Sequence, residues 1–221
     1  PLAAAQDGDL PMVTIGVIAF RDLETSARQW EPLGKFLNEQ VPGHRFVIRP
    51  LFIDDLSKAV AQDDVAFVLT QPEHYVILRE QYGLAAVATL VTRAGDRQFS
   101  RMGGVIFTRP SRDDIRELND LRGKTIAAIA PQSLGGFRAQ QWTLDQSGID
   151  INQSAKVVFT GPPQDKIIDE VLAGRADVGF VRTGLIESLI DEGKLKHNAL
   201  KVINPRQEPG FPLLLSTELY P

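Results

Sequence analysis

Four strand-to-helix turns carry the side chains that could do chemistry. Thr70-Gln71-Pro72-Glu73 has the make-up of a capping box. Thr70 would accept from a helix amide, Glu73 would reach back, and Pro72 sits where no amide donor is needed. His74 and Tyr75 follow on the same first turn, placed to line whatever lies beyond the strand. Ser133-Leu134-Gly135-Gly136-Phe137 opens a helix after a strand, and its small residues leave the amides open to an anion in the field of the helix dipole. Thr160-Gly161-Pro162-Pro163-Gln164-Asp165 repeats that construction. Arg182-Thr183 ends an apolar strand, where a guanidinium needs a negative partner because burying it alone is costly. Asp165, Glu187 or an anionic ligand would serve as that partner. Phe20-Arg21 leaves the first strand, with Arg21 expected at the rim and Trp30 in the helix core beyond. Amides, hydroxyls and a guanidinium together offer anion binding.

Other chemistries are excluded. No Gly-Lys-Ser/Thr follows the glycine turn, so it is not a P-loop, and its glycine spacing is not that of a dinucleotide fingerprint. Ser133 follows Gln132 and lacks the flanking glycines of a nucleophile elbow. There is no cysteine, and the three histidines (His44, His74 and His197) make no metal-binding pair. No metal or other cofactor is expected. The adjacent acids Asp54-Asp55, Asp63-Asp64 and Asp113-Asp114 belong to helix starts and loops. No general base can be placed near a reacting atom, so the segment is not expected to be an enzyme.

The 221 residues hold 24 Lys+Arg against 28 Asp+Glu, a net charge of −4, which disfavours a nucleic-acid partner. Hydrophobic residues at 43% and charged residues at 24% suit a folded globular chain of one large domain or two lobes. No apolar stretch is long enough to span a membrane, so any membrane anchor is expected outside this segment. Residues 1–11 are expected to be a leader or linker of small and polar residues.

The elements that must position these turns alternate along the chain. Strands are expected at 13–20, 46–51, 65–69, 85–91, 103–108, 125–129, 157–159, 178–181, 200–203 and 211–215. Helices are expected at 25–40, 55–62, 71–82, 134–147, 163–173 and 183–192. The first helix should bury Ala27, Trp30, Leu33, Phe36 and Leu37 on one face. This order predicts an α/β fold with mostly parallel sheets covered by helices on both faces. One echo stands out. Asp64-Val65-Ala66-Phe67-Val68-Leu69-Thr70-Gln71 matches Asp177-Val178-Gly179-Phe180-Val181-Arg182-Thr183-Gly184 at five of eight positions. It suggests two similarly wound lobes, each with a Thr at the carboxyl end of an equivalent strand, where open α/β sheets bind ligands. The glycines of Arg101-Met102-Gly103-Gly104 lie where a crossover between lobes would sit.

In the order and spacing of these segments the chain resembles type II periplasmic binding proteins of the phosphonate-binding branch. Within that branch it is most similar to the periplasmic sensor domains of histidine kinases of the tetrathionate-sensor type. The resemblance is carried by Ile15-Gly16-Val17-Ile18-Ala19-Phe20-Arg21, Trp30-Glu31-Pro32-Leu33, Val65-Ala66-Phe67-Val68-Leu69-Thr70-Gln71-Pro72 and Gly103-Gly104-Val105-Ile106-Phe107-Thr108-Arg109. It continues through Leu121-Arg122-Gly123-Lys124, Ser133-Leu134-Gly135-Gly136-Phe137, and Ala176-Asp177-Val178-Gly179 with Val181-Arg182-Thr183. It implies two α/β lobes joined by crossover strands, lobe one at 12–104 plus 206–221 and lobe two at 105–205, with ligand clamped between them. The ligand-binding residues it implies are Phe20, Arg21, Thr70, Gln71, Tyr75, Ser133, Gly135, Gly136, Gln164, Arg182 and Thr183. Many relatives carry His-Asp where this chain has Gln164-Asp165, and phosphonate receptors place an acid near Arg182. The reversed charge argues against 2-aminoethylphosphonate. The implied function is sensing of a small anionic or polar solute in the periplasm for a two-component kinase, with pairing through the sensor domain. The alternatives are a solute receptor of an ABC transporter for phosphonates, sulfonates or other oxyanions, and an enzyme on the same fold.

Overall fold

The computed structural model describes residues 10–94, 97–99 and 103–203. The chain forms two compact units, Pro1–Ala85 and Ala86–Pro221.

The first unit is built on β1 (Met12–Ile18), α1 (Leu23–Gln40), β2 (Arg45–Leu51), α2 (Ile53–Ala61), β3 (Phe67–Leu69) and α3 (Pro72–Tyr82). Its three strands are parallel in the order β2-β1-β3. Ile15, Val17, Ile18, Leu56, Ala59, Val60 and Leu78 make its core. Asp22 caps α1 by accepting from the Thr25 amide at 2.7 Å. The expected apolar face of α1 is only partly right. Trp30, Leu33 and Leu37 are half-buried, whereas Ala27 and Phe36 are exposed and the buried residues are Ser26 and Gly34. The helix lies on the sheet through its small residues: a Cβ on Gly34 would meet Ile48 at 3.2 Å.

The strand expected at 85–91 is absent. Val87, Leu90 and Val91 are exposed, and the chain forms instead an antiparallel pair, β4 (Thr92–Ala94) with β5 (Arg97–Phe99). An apolar run becomes a buried strand only when a neighbouring ladder accepts it, and among the described residues none pairs with this one. Residues 1–9 of the leader expected at 1–11, Arg101-Met102, the strand at 211–215 and the return of lobe one at 206–221 lie outside the described residues.

The second unit contains β6 (Gly104–Thr108), β7 (Thr125–Ala128), α4 (Ala139–Gln146), α5 (Ile151–Ser154), β8 (Lys156–Phe159), α6 (Asp165–Leu172), β9 (Val178–Arg182), α7 (Leu185–Asp191) and β10 (Lys201–Val202). The sheet order is β10-β6-β9-β7-β8. β6 is antiparallel to both its neighbours, so the other four strands share one direction. The period of two along these strands sorts the core onto two faces. Val105, Phe107, Ala127 and Val181 pack with Ile167, Ile168 and Val171 of α6 and Leu185, Ile186 and Leu189 of α7. Ile106, Ile126, Ala128, Val178 and Phe180 pack with Leu118, Leu121, Phe137, Leu144 and Ile151. Helices therefore cover both faces, as the alternation predicts. Short α5 and a 3-10 turn at Leu118–Leu121 were not expected, being too brief to show a helical period.

The amino-terminal end of the second sheet is tied by charge. Asp177 accepts from the Thr125 amide at 2.8 Å and pairs with Arg112, which also holds Asp114 at 2.7 Å. Lys124 adds a 2.7 Å bond to Asp114. Arg112 and Lys124 hold the Asp114 carboxyl well below the usual range. Burial works against ionisation of Asp177, but the Thr125 amide and Arg112 outweigh it and hold its carboxyl low.

Candidate functional site: the strand ends of the two units

In the second unit six expected residues are brought together at the carboxyl ends of β7 and β9. Beyond β7 the chain enters a π-helical turn, Leu134–Arg138, that runs into α4. Ser133 caps this turn, its hydroxyl oxygen accepting from the Gly136 amide at 3.2 Å. That bond leaves the Ser133 hydrogen to be given elsewhere. Gly135 packs on the end of β9: a Cβ there would lie 2.8 Å from the Gly103 carbonyl oxygen and 2.9 Å from the Arg182 Cβ. A Cβ on Gly136 would lie 2.9 Å from Ser133 Oγ and 3.2 Å from Gln164 Nε2. Only glycines allow these approaches.

Gln164, fully buried, sits at the start of α6. Its Oε1 accepts from the Arg182 amide at 3.0 Å, which orients the side chain, and its Nε2 is buried with no hydrogen-bond partner. An unmatched buried donor costs about 1–3 kcal/mol. Arg182 is half-buried, and its Nη1 donates to the Thr183 carbonyl at 2.9 Å. Glu187 on the first turn of α7 is an acid whose field acts with Arg182. Burial pushes the Glu187 carboxyl up, and Arg182 opposes that rise. Thr183 closes the strand end, its Oγ1 accepting from the Gly103 amide at 2.9 Å while its own amide donates to the Gly103 carbonyl at 2.8 Å.

One residue that positions this group has no signature in the sequence. Gln140, fully buried on α4, donates through Nε2 to the carbonyls of Gly135 at 2.9 Å, Val181 at 3.0 Å and Val105 at 3.3 Å. It pins the glycine turn to β6 and β9. A Cβ on Gly104 would lie 2.2 Å from its amide, so Gly104 is the slot for Gln140. A buried Gln in a polar helix face looks like any solvated Gln, and only the glycine at 104 hinted at a close approach.

In the first unit β1 and β3 are neighbours, with Val17 opposite Leu69, so Phe20-Arg21 and Thr70-Gln71 leave adjacent strand ends. Arg21 is buried, 4% exposed, not a rim residue. Phe20 and Tyr75 are half-buried. The capping box is not formed. Gln71 is the N-cap of α3 and no side chain caps it. Thr70 is hydrogen-bonded to His74 instead, Oγ1 lying 2.7 Å from Nδ1. His74 is itself buried and bound on its other nitrogen by Ser57 at 2.8 Å, so it turns into the fold rather than lining an opening. Gln71 is 2% exposed and its Oε1 has no partner.

Among the described residues no cluster of three His, Asp or Glu side chains could hold a metal ion, and no helix is long and apolar enough to cross a membrane. A family model described as the periplasmic substrate-binding protein of phosphonate ABC transporters matches residues 15–221. The chain belongs to that phosphonate-binding family. It is 34% identical over 209 residues to the tetrathionate sensor histidine kinase TtrS of Salmonella typhimurium, a match covering 94% of this chain and 35% of that protein's length. Its fold is that of a phosphonate-transporter binding protein from Pseudomonas aeruginosa, with a TM-score of 0.75 at 17% identity over 88% of this chain and 65% of that one. It is also that of PhnD1 from Prochlorococcus marinus, solved with methylphosphonate, with a TM-score of 0.66 at 17% identity over 87% and 71%. The phosphonate-binding fold is a periplasmic, solute-binding one and not a catalytic one. Resemblance, fold class and binding role therefore stand as the sequence implied them.

Proposed function

We propose that this domain senses a small oxyanion in the periplasm for a two-component histidine kinase, holding it at the strand ends through Ser133, Gly135, Gly136, Gln164, Arg182 and Thr183, with Phe20, Arg21, Thr70, Gln71 and Tyr75 contributing from the first unit. The observation that carries this reading is Gln164 Nε2. It is an oriented, buried donor with no partner, beside the Ser133 hydroxyl and the Arg182 strand end. An oxyanion oxygen would satisfy it. The sensor context is supported by the 34% identity to a sensor kinase over nearly the whole chain. A transport receptor is the second reading, favoured by the family match and by the fold shared with transporter binding proteins. Pairing of two sensor domains belongs to the first reading.

A thermal-shift screen across oxyanions, sulfonates and carboxylates should find at least one that raises the melting temperature by mass action. Silence across the screen would remove the oxyanion reading. For the anion found, calorimetry on Arg182→Ala should show binding weakened by about 1.5–3 kcal/mol. Unchanged affinity rejects that role. In the full-length protein, autophosphorylation that responds to the same anion separates sensing from transport.

A further inference from the structure

The polarity of the hydrogen bonds at the start of α3 is decided by geometry. Ser57 Oγ donates to the Ile53 carbonyl at 2.9 Å, which uses its one hydrogen. Its 2.8 Å contact with His74 Nε2 therefore makes that ring nitrogen the donor. A neutral imidazole then has only a lone pair at Nδ1, and the 2.7 Å contact there takes the hydrogen of Thr70. The Thr70 oxygen can now only accept. Gln71 Oε1 next to it is a second buried acceptor without a partner.

The surroundings favour this neutral ring. Burial holds His74 below the usual imidazole range, opposed by Asp54 at the start of α2. On the same helix Asp55 is paired with Lys58 at 3.0 Å. Glu73 and Tyr75 are the neighbours of His74 in sequence on α3, and just beyond β3 the group that meets the ring is the Thr70 hydroxyl.

We propose that His74 is a positioning residue that sets the hydrogen-bond polarity of Thr70, and so which oxyanions the first unit accepts. With the ring neutral, Thr70 and Gln71 offer two acceptors, suited to an oxyanion that carries its own O–H. With the ring protonated from solvent, both nitrogens donate, the Thr70 hydrogen is released, and Thr70 becomes a donor to a fully ionised oxyanion. A fully ionised oxyanion therefore binds with uptake of one proton on His74, and an O–H-bearing one binds without it. This rests on the reading above that Thr70 and Gln71 meet the ligand.

Methanesulfonate, ionised throughout, and methylphosphonate as its monoanion are the probes. Calorimetry in buffers of different ionisation enthalpy should give uptake of one proton for methanesulfonate and none for methylphosphonate. Methanesulfonate affinity should fall by up to about tenfold per pH unit above the His74 titration. His74→Gln and Thr70→Val should each abolish the uptake. Long-range 15N–1H spectra of the ligand-free chain should show the Nε2–H tautomer. An Nδ1–H tautomer, or methanesulfonate binding without proton uptake, overturns the proposal and leaves the oxyanion reading in place. Failure of both anions to bind overturns the coupling as stated, whereas the oxyanion reading falls only with silence across the whole thermal-shift screen.

Discussion

The segments 64–71 and 177–184 share five of eight residues, yet the fold uses them differently. β9 lies inside a five-stranded sheet, between β6 and β7, and Phe180 is fully buried. β3 pairs only with β1 among the described residues, and Phe67 is 47% exposed. The two threonines diverge in the same way. Thr183 stitches the strand end to Gly103, whereas Thr70 gives its hydroxyl to His74. The same pattern of Asp, Val, Phe, Val and Thr makes a strand end tied to Gly103 in one unit and a protonation-linked one in the other. Ladder position sets the difference in burial, and the histidine four residues after Thr70 sets the threonine's partner.

Three paired substitutions would break or sharpen this contrast, from the largest effect to the smallest. Phe180→Ala should cost about 3–5 kcal/mol in denaturant unfolding, because its cavity lies among Ile126, Val178 and Phe137. Phe67→Ala should cost less than about 1 kcal/mol. Equal losses would mean that β3 is buried as deeply as β9. Gly179→Ala should destabilise by about 1–3 kcal/mol, since the new Cβ would lie 2.3 Å from the ring of Phe107, itself fully buried. Ala66 occupies the equivalent place on an exposed stretch, and Ala66→Ser should change stability by less than about 0.5 kcal/mol.

The smallest effect concerns the acids that open the two segments. Asp177 is lowered against burial by the Thr125 amide and Arg112. Its folded form thus gains stability that is present above the ordinary value of 3.8 and lost as pH falls through the lower folded value. Asp177→Asn should cost about 1–2 kcal/mol near neutral pH and flatten the acid limb of a stability profile. Asp64, exposed, should tolerate the same change. An unchanged acid limb in Asp177→Asn would show that the Arg112 cluster does not carry it.

Several features of the site are legible in the sequence. The Ser133 cap, the close-packed Gly135-Gly136 turn and the arrival of Gln164 and Arg182 at the same strand ends follow from small residues placed after apolar strands. The capping box expected at Thr70 does not form because a hydroxyl bonds whichever partner the fold supplies, and here His74 takes the place of the helix amide. Arg21, expected at a rim, is buried, because one-dimensional order gives no depth. Gln140 was invisible because its three acceptors come from β6, β9 and the glycine turn, distant in sequence.

By itself the sequence determined the alternation of strands and helices, since apolar periods of two and 3.6 are local properties of the chain. It also placed serine and glycine at 133, 135 and 136, where a capped turn can pack closely against a strand end. Tertiary structure alone decided which of two similar strands is enclosed, that the run at 85–91 stays exposed, and which way the hydrogen of Thr70 points. Each of these depends on a partner brought from elsewhere in the chain, and a hydrogen bond or a ladder has no meaning until both halves are in place.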